Sequence, residues 1–220
     1  MTLTMTRVTC RSPKIVENTF YRKSGKRALD SVASLVGLLL VSPVLLAVAG
    51  LVKISTPGPA LYWQERVGRG GRVFRIVKFR TMHRDAETSG PAVTSAIDPR
   101  VTGVGRWLRR LKLDELPQLW NVLKGEMSLV GPRPEVPRYV ESYSPAQRRV
   151  LTVRPGITDL ASIAYRREEE LLAGHADIDR YYRDVVLPDK LNLNLQYLDR
   201  MSFAYDLLLL TRTTMVLLNH

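Results

Sequence analysis

Residues 31–52 form an uncharged, apolar run, and this run constrains the fold more than any other feature of the sequence. As an α-helix, about 22 residues extend about 33 Å, which is enough to cross the hydrocarbon core of a bilayer. The alternative is a helix buried inside a soluble protein, which would need a protein shell on every side. A chain of 220 residues has little material for such a shell, so we predict a membrane helix.

The flanks of this run predict its topology. Short cytoplasmic segments beside membrane helices are enriched in Lys and Arg. Cationic residues stand on both sides of the run, at Arg22, Lys23, Lys26 and Arg27 before it and at Lys53, Arg66, Arg69, Arg72, Arg75 and Lys78 after it. We therefore expect both ends on the cytoplasmic face, which a re-entrant helix entering and leaving through one leaflet would satisfy.

A Ser-Pro pair lies in the middle of the run. Pro43 removes one backbone hydrogen bond and its ring crowds the preceding turn, so we expect a kink, and Ser42 can satisfy part of the freed backbone. Asp30 lies just inside the N-terminal edge, where a charge near lipid is costly without a partner. Lys26 and Arg27 are the candidate partners.

The composition limits the partners and cofactors. Lys and Arg total 33 against 21 Asp and Glu, and the net charge of +12 indicates nucleic acid, anionic lipid or a phosphorylated substrate. The single cysteine, Cys10, excludes an internal disulfide, and with three histidines a Cys/His zinc site is not credible. Residues 1–21 lack the apolar core of a signal peptide, and we expect a mobile extension there.

An acidic pair, Asp114 and Glu115, stands between a cationic segment and a helix-starting pattern. Pro117 suits the first turn of a helix, which would end near Gly125. Unpaired N–H groups at a helix N-terminus stabilise a carboxylate or a bound phosphate, so the pair suggests phosphate chemistry, with Arg109 facing a phosphoryl oxygen. An acidic helix cap without any catalytic role is the alternative.

Further cations stand on a predicted β-hairpin. Two strand-like runs, residues 60–67 and 72–80, surround a glycine-rich turn. Alternation along the second run puts Lys78 and Arg80 on a common face near the strand end, where they could meet a diphosphate. A solvated basic face near anionic lipid would give the same pattern.

Arg133 lies between two prolines, which hold it in an extended conformation suited to bidentate phosphate contact. Arg154, before Pro155, repeats this arrangement, and an ordinary turn with a surface arginine is the alternative for both. The remaining pattern predicts a loop over residues 86–99, helices over 104–111, 143–150, 166–172 and 177–186, and an apolar C-terminal helix over 203–218 that lies in the membrane interface or packs on the domain.

Residues 109–134, RRLKLDELPQLWNVLKGEMSLVGPRP, resemble the signature of the bacterial polyprenyl-phosphate sugar-phosphate transferases. These are monotopic phosphoglycosyl transferases, which begin glycan assembly on a lipid carrier. Further similar segments lie on both sides of this run, in the family's order, so that the resemblance covers about residues 22–220. They are KRALD at 26–30, SP at 42–43, KFRTM at 78–82 and RPGIT at 154–158.

The resemblance implies an α+β fold at the cytoplasmic face of the bacterial inner membrane. Its parts would be the extension over residues 1–21, a re-entrant membrane helix over 22–56 broken at Ser42 and Pro43, and a catalytic domain over 57–220. That domain would contain a short β-hairpin and several helices, some of them in the membrane interface, the C-terminal one included. A homodimer is possible for such a chain.

The resemblance also implies a mechanism. Asp114 would attack the phosphorus attached to the sugar of a UDP-sugar, UMP would leave, and a polyprenol phosphate such as undecaprenyl phosphate would then attack the phospho-aspartate. Glu115 would hold Mg²⁺. The cations implied to bind substrate phosphates are Lys78, Arg80, Arg109, Arg133 and Arg154. The product would start an exopolysaccharide, O-antigen, capsule or glycoprotein glycan.

The segment after Thr158 departs from the commoner family pattern. Many relatives continue with Gly-Trp-Ala-Gln, whereas residues 159–163 here are DLASI, so the sugar cannot be named from the resemblance. Two alternatives remain beside the transferase. One is a membrane-bound Mg²⁺-dependent phosphohydrolase, and the other is a non-catalytic basic tether that binds anionic lipid or nucleic acid. The sequence contains no recognisable nucleic-acid-binding motif, so we expect no nucleic acid partner.

Overall fold

The computed structural model describes residues 20–84, 86, 90 and 93–218. The extension expected to be mobile therefore lies outside the described residues except at its last two positions. Tyr21, the last of these, is buried and begins a π-helical turn, Tyr21–Gly25, that leads directly into the first long helix.

Helix α1, Lys26–Ser55, contains the apolar run. Among the described residues it is the single helix long and apolar enough to cross a membrane by length and composition. It is continuous through Pro43, and Ser42 Oγ donates to the carbonyl of Leu39 at 2.8 Å. The pair at 42–43 is therefore not an interruption of helical structure, and the predicted hairpin at this point stays a prediction.

Both halves of α1 contact the same globular part of the protein. Near its start, the guanidinium of Arg27 donates to the carbonyls of Val122 and Leu123 at 2.5 and 2.7 Å. Near its end, Val48 and Val52 belong to a buried cluster together with Phe79 and Leu108. The middle of the helix is exposed and apolar, with Leu39 68% and Leu40 75% exposed.

The predicted β-hairpin is confirmed. Strand β1, Leu61–Val67, pairs antiparallel with β2, Val73–Phe79, so that Leu61 lies opposite Phe79 and Val67 opposite Val73. Helix α2, Gly103–Arg110, follows a segment whose described residues form turns, and the side chain of Thr102 accepts from the N–H of Gly105 at its start. These two predictions agree with the structure to within a few residues.

The helix predicted to start at Pro117 begins later. Residues Leu113–Gln118 form a 3₁₀ turn that includes the acidic pair, and helix α3 is Leu119–Lys124. Gly125 ends α3 in the left-handed conformation, with φ of 87°, as glycine at this position commonly does. A short parallel pair, β3 (Ser128–Val130) with β4 (Gly156–Thr158), was not predicted.

The remainder is helical. Its elements are α4 (Pro137–Val140), a 3₁₀ turn (Gln147–Thr152), α5 (Leu160–Ala164), α6 (Glu168–Ala173), α7 (Ile178–Tyr181), a π-helical turn (Tyr182–Val186), α8 (Leu187–Arg200) and α9 (Phe203–Leu218). A core of Tyr139, Tyr182, Leu187 and Leu191 packs α8 against α4 and the hairpin. The mixed helix and sheet class is thus confirmed, with two small two-stranded sheets among the described residues.

Candidate active site

Asp114 lies in the 3₁₀ turn and is 7% exposed. Lys112, two residues earlier, has a φ of 55°, a left-handed conformation that reverses the chain after α2. The Oδ1 atom of Asp114 is buried and has no hydrogen-bond partner among the described residues. Buried polar atoms are nearly always paired, so this oxygen is a candidate for contact with a ligand.

Glu115 is held by two cations. The guanidinium of Arg133 donates from Nη1 to Oε2 at 3.1 Å and from Nη2 to Oε1, and the ammonium of Lys78 lies 3.7 Å from Oε1. The backbone N–H of Arg133 donates to Asp159 Oδ2 at 3.0 Å, which anchors the arginine from the other side. Glu115 therefore has little freedom of its own.

These contacts set the charges of the pair in opposite directions. Burial raises the pKa of both carboxyl groups, but at Glu115 the charges of Arg133 and Lys78 outweigh it and hold the pKa well below its usual range. At Asp114, burial and the neighbouring Glu115 carboxylate raise the pKa. Burial lowers the pKa of Lys78 to about 8. Two adjacent carboxyl groups thus have different environments, which is typical of groups with different roles.

Arg109 and Arg80 both line the cavity that contains Asp114, but their guanidinium groups have different partners. Arg109 donates from Nε to Thr81 Oγ1 at 2.9 Å and pairs with Glu169 at 3.3 Å. Arg80 donates to the carbonyls of Pro57 and Thr56 at 2.9 and 2.8 Å, so that it clamps the exit of α1. Phosphate binding by these two arginines stays a prediction.

Arg154 lies elsewhere. Its Nε donates to the carbonyl of Gly125 at 2.8 Å, beside the carbonyls that Arg27 contacts, and Arg154 is absent from the cavity lining among the described residues. Both arginines satisfy carbonyl groups at the C-terminal end of α3, where cations stabilise a helix. Lys78, Arg80, Arg109, Asp114, Glu115 and Arg133 are brought together, and Arg154 is not.

Lys26 lies within electrostatic reach of Asp30, as expected, and the charged residues at the start of α1 have other partners as well. Asp30 Oδ1 accepts from the backbone N–H of Leu129 at 3.1 Å. Lys26 pairs with Asp206 of α9, which also accepts from the hydroxyl groups of Tyr21 at 2.6 Å and Tyr197 at 2.8 Å. This buried cluster ties the start of α1 to the C-terminal helix, and periodicity gave no signal for it.

The acidic pair lines a cavity of about 1610 Å³ whose lining contains both apolar and polar side chains. The apolar residues include Leu116, Leu119, Ile157 and Leu210. The polar residues include Glu135, Glu168, Tyr182 and Lys190. Of these four, the sequence pattern singled out Glu168 alone, as part of an acidic run that is typical of a solvated helix face. The position of Glu135, two residues after Arg133, was the available signal, because an extended chain directs alternate side chains to one side.

Asp114 and Glu115 are also the candidate ligands for Mg²⁺. Among the residues that the structure describes, no group of three or more His, Cys, Asp or Glu side chains could hold a metal ion. Mg²⁺ commonly uses one or two carboxylates and takes its other ligands from phosphates and water. The partnerless oxygen of Asp114 beside Glu115 fits such a site, and the cations on Glu115 would have to share its oxygens with the metal.

Comparison with known proteins gives one family and several relatives. Residues 21–220 match the family model described as bacterial sugar transferase. A Bacillus subtilis protein named as a candidate undecaprenyl-phosphate N-acetylgalactosaminyl 1-phosphate transferase is 44% identical over 70% of this chain and 82% of its own length.

Two further relatives are more precisely named. The UDP-N-acetylgalactosamine-undecaprenyl-phosphate N-acetylgalactosaminephosphotransferase of Aeromonas hydrophila is 38% identical over 88% of this chain, which spans 43% of that protein. The UDP-glucose:undecaprenyl-phosphate glucose-1-phosphate transferase of Caulobacter vibrioides is 40% identical over 88% of this chain and 69% of its own length.

Proposed function

The chain belongs to the bacterial sugar transferase family, and from this premise we propose that it moves a sugar 1-phosphate from a UDP-sugar to undecaprenyl phosphate and releases UMP. Relatives named for UDP-N-acetylgalactosamine and for UDP-glucose both act on undecaprenyl phosphate, which supports this acceptor. Their donors differ, so the sugar is left open. The product would begin the assembly of a polysaccharide or another glycan.

One observation carries the proposal, namely the buried and partnerless Oδ1 of Asp114. Glu115 cannot offer an equivalent atom, because Arg133 and Lys78 contact its carboxylate. Asp114 lines the cavity, and a carboxylate with an oxygen that no protein group engages is suited to nucleophilic attack. Asp114 is therefore the proposed nucleophile.

The reaction would proceed in two transfers. In the first, an oxygen of Asp114 bonds to the phosphorus next to the sugar, the bond from that phosphorus to the bridging oxygen breaks, and UMP leaves with the bonding pair. In the second, an oxygen of undecaprenyl phosphate bonds to the same phosphorus, and the bond to Asp114 breaks. The products are the lipid-linked sugar diphosphate and the restored carboxylate, so that atoms and charge balance.

The surrounding cations would stabilise the phosphoryl group in both transfers. Lys78, Arg109 and Arg133 line the cavity near Asp114, and preorganised cations in a site with little water lower the barrier to forming charge. Glu115 would hold Mg²⁺, as the family resemblance implies, and the metal when bound would offset the negative charge of the diphosphate.

The contacts of α1 support access to a lipid acceptor. Both halves of this apolar helix pack on the domain that contains Asp114, at Arg27 and at Val52, while its middle is exposed. A helix that ran straight across the bilayer would carry one end away from that domain. We therefore propose a monotopic arrangement on the cytoplasmic face of the bacterial inner membrane, with the exposed apolar side chains of α9 in the interface.

A trapping experiment tests the function. The purified full chain is incubated with Mg²⁺ and UDP-glucose or UDP-N-acetylgalactosamine that carries a radiolabel in the phosphate next to the sugar. We expect labelled protein and UMP without acceptor, and transfer of the label to lipid when undecaprenyl phosphate is added. Asp114→Asn should remove both signals, whereas Asp199→Asn, at an exposed ion pair with Arg149, should leave them unchanged.

Three outcomes would contradict the proposal. Release of free sugar phosphate at an equal rate with and without the lipid acceptor would indicate the phosphohydrolase instead. Full activity of the Asp114→Asn variant would exclude Asp114 as the nucleophile. Binding of anionic vesicles without UMP release from any donor would favour the non-catalytic tether.

A further inference from the structure

Four polar side chains of the cavity lining contact one another. Lys190 of α8 donates from Nζ to Glu168 Oε2 at 2.7 Å and to the hydroxyl of Tyr182 at 3.2 Å, and it lies 4.0 Å from Glu135 Oε1. The hydroxyl of Tyr182 donates to Glu135 Oε1 at 2.6 Å. We refer to Glu135, Glu168, Tyr182 and Lys190 as the Lys190 cluster.

This cluster lies next to the phosphate-directed cations. Glu135 follows Arg133 by two residues, and Arg66 Nη1 lies 3.6 Å from Glu135 Oε2. The charge of Glu168 contributes to raising the pKa of Arg133, so the two side chains lie within electrostatic reach. Contacts therefore connect Glu115 to Arg133, and the cluster begins at Glu135, two residues further along the chain. We expect a group joined to the phosphate that Asp114 attacks to extend toward the cluster.

The apolar and the polar side chains of the cavity lining suit different parts of the reactants. The apolar residues, Leu116 and Leu119 among them, suit an isoprenoid, whereas the Lys190 cluster provides carboxylate acceptors and ammonium and phenol donors in close proximity. A hexose carries hydroxyl groups around its ring and needs acceptors and donors in such a mixture. Charged partners that are mostly shielded from water give each of these hydrogen bonds strong directional selectivity.

A second observation comes from the segment where this chain departs from the commoner family pattern. Ser162 of α5 lines the same cavity, and its Oγ is buried without a hydrogen-bond partner among the residues that the structure describes. The neighbouring Asp159 anchors Arg133 through the backbone N–H, so this segment is connected to the phosphate site.

We propose that the Lys190 cluster, together with Ser162, is the subsite that binds the hexose of the donor and determines which UDP-sugar is used. This inference rests on the proposed function. The cluster selects the sugar through hydrogen bonds to its hydroxyl groups or to an N-acetyl group. It takes no part in bond making at phosphorus.

The test uses the purified full chain with Mg²⁺, undecaprenyl phosphate and four donors, namely UDP-glucose, UDP-galactose, UDP-N-acetylglucosamine and UDP-N-acetylgalactosamine. UMP release gives kcat/KM for each donor, and inhibition by UMP reports on the nucleotide part alone. Glu168→Gln and Lys190→Met remove one charge each. Tyr182→Phe removes a hydroxyl group only, and Asp199→Asn at the other end of α8 is the matched control.

We expect the ratios of kcat/KM among the four donors to change by about tenfold or more in the cluster variants, while UMP inhibition changes by less than about twofold. The control should keep the wild-type ratios. Thermal unfolding identifies any variant that fails to fold. In that case Tyr182→Phe, which keeps the packing of the ring, shows whether the cluster sets the donor ratios.

Three results would overturn the inference. Unchanged donor ratios in the folded variants would assign the cluster a structural role, even if every rate fell together. Loss of UMP inhibition to the same extent as loss of donor use would place the nucleotide at the cluster. A wild-type chain that releases UMP from none of the donors would contradict the proposed function as well, whereas wild-type activity with unchanged ratios contradicts this inference alone.

Discussion

The guanidinium of Arg133 forms a two-pronged contact with the carboxylate of Glu115, with Nη1 3.1 Å from Oε2 and Nη2 donating to Oε1. Charge-assisted pairs of this geometry are strong and directional. The pair keeps Glu115 ionised and leaves Asp114 as the carboxyl group with an unengaged oxygen. The difference between the environments of Asp114 and Glu115 therefore depends on Arg133, which lies outside the local sequence of the acidic pair.

Replacing Arg133 by lysine tests this relationship. Lysine retains the charge but cannot make two parallel hydrogen bonds, so we expect kcat/KM for UMP release to fall by about 10²–10³. The matched control is Arg149→Lys at an exposed ion pair with Asp199, which should retain wild-type kinetics. A fall of less than about threefold would mean that the two-pronged geometry is unimportant.

We predict that Asn121 stabilises the packing of α3 against β2, next to the candidate site. Its Oδ1 accepts from the N–H of Val77 at 3.1 Å, and its Nδ2 donates to the carbonyl of Arg75 at 2.8 Å, which joins α3 to β2. Asn121→Ala would remove the partner of the buried N–H of Val77 and that of the carbonyl of Arg75, so we expect the free energy of unfolding to fall by about 2–4 kcal/mol. Asn192→Ala, at an exposed position of α8, is the control for denaturant unfolding in detergent. Equal stability of the two variants would contradict this prediction.

Gly58 and Arg80 give a prediction about the exit of α1. Gly58 has a φ of 120°, and a Cβ atom at this position would overlap with Nη1 of Arg80. We expect Gly58→Ala to lower the free energy of unfolding by about 1–3 kcal/mol or more. Gly103→Ala, where a Cβ atom meets open space, should leave stability nearly unchanged in the same thermal unfolding assay.

An Arg80→Lys variant distinguishes two roles for this arginine. If the arginine serves to clamp Thr56 and Pro57, Arg80→Lys should lower the unfolding temperature and leave KM for the UDP-sugar unaltered. A raised KM at unchanged stability would instead support the phosphate-binding role predicted from the strand pattern.

Local patterns in the sequence were sufficient for the elements that have a clear period. The hairpin, α1 and α2 follow from apolar spacing and turn residues, and Asp114 was identified from its charged neighbours. Strands β3 and β4 have three residues each, which is too short for an alternating pattern to be visible. The 3₁₀ turn around Pro117 was read as the first turn of the helix, because proline favours both.

Partners distant in the chain could not be predicted. Alternation placed Lys78 and Arg80 on one face, yet Arg80 lies just past the end of β2 and contacts Thr56, while Lys78 faces Glu115. Lys26 lies within electrostatic reach of Asp30, as predicted, but its salt bridge is with Asp206 of α9, which no local pattern indicates. Composition reveals that charges need partners, and tertiary packing decides which ones.

Lys78 gives a pH prediction whose sign follows from linkage. Burial lowers its pKa from 10.5 in the unfolded chain to about 8 in the folded protein. Between these values the unfolded chain binds more protons, so the free energy of unfolding should rise with pH, by up to about 3 kcal/mol. Lys78→Met lacks this contribution. The measurement is the difference in unfolding free energy between wild type and variant from pH 7 to 10, in detergent with a chelator. A difference that does not change with pH would contradict the lowered pKa.

The topology of α1 yields a labelling prediction. Both halves of the helix contact the domain that contains Asp114, at Arg27 and at Val52, so residues at the two ends of the helix should face the same compartment. Ser24 and Ser55 are exposed positions at the two ends. In a Cys10→Ser background, Ser24→Cys and Ser55→Cys should both react with a membrane-impermeant maleimide in inside-out vesicles, and neither should react in intact spheroplasts.

A cysteine in the middle of α1 completes this experiment. Leu40 is 75% exposed and apolar, so in a bilayer it would contact lipid, and Leu40→Cys should be protected in both preparations. Reaction of one end, and only one, in intact spheroplasts would mean that α1 spans the membrane. That result would require the contacts of Arg27 or those of Val52 to be broken in the bilayer, because a single domain cannot hold both ends of a spanning helix. Protection of Leu40→Cys with both ends cytoplasmic would support insertion into one leaflet, with Asp114 on the side where the donor is made.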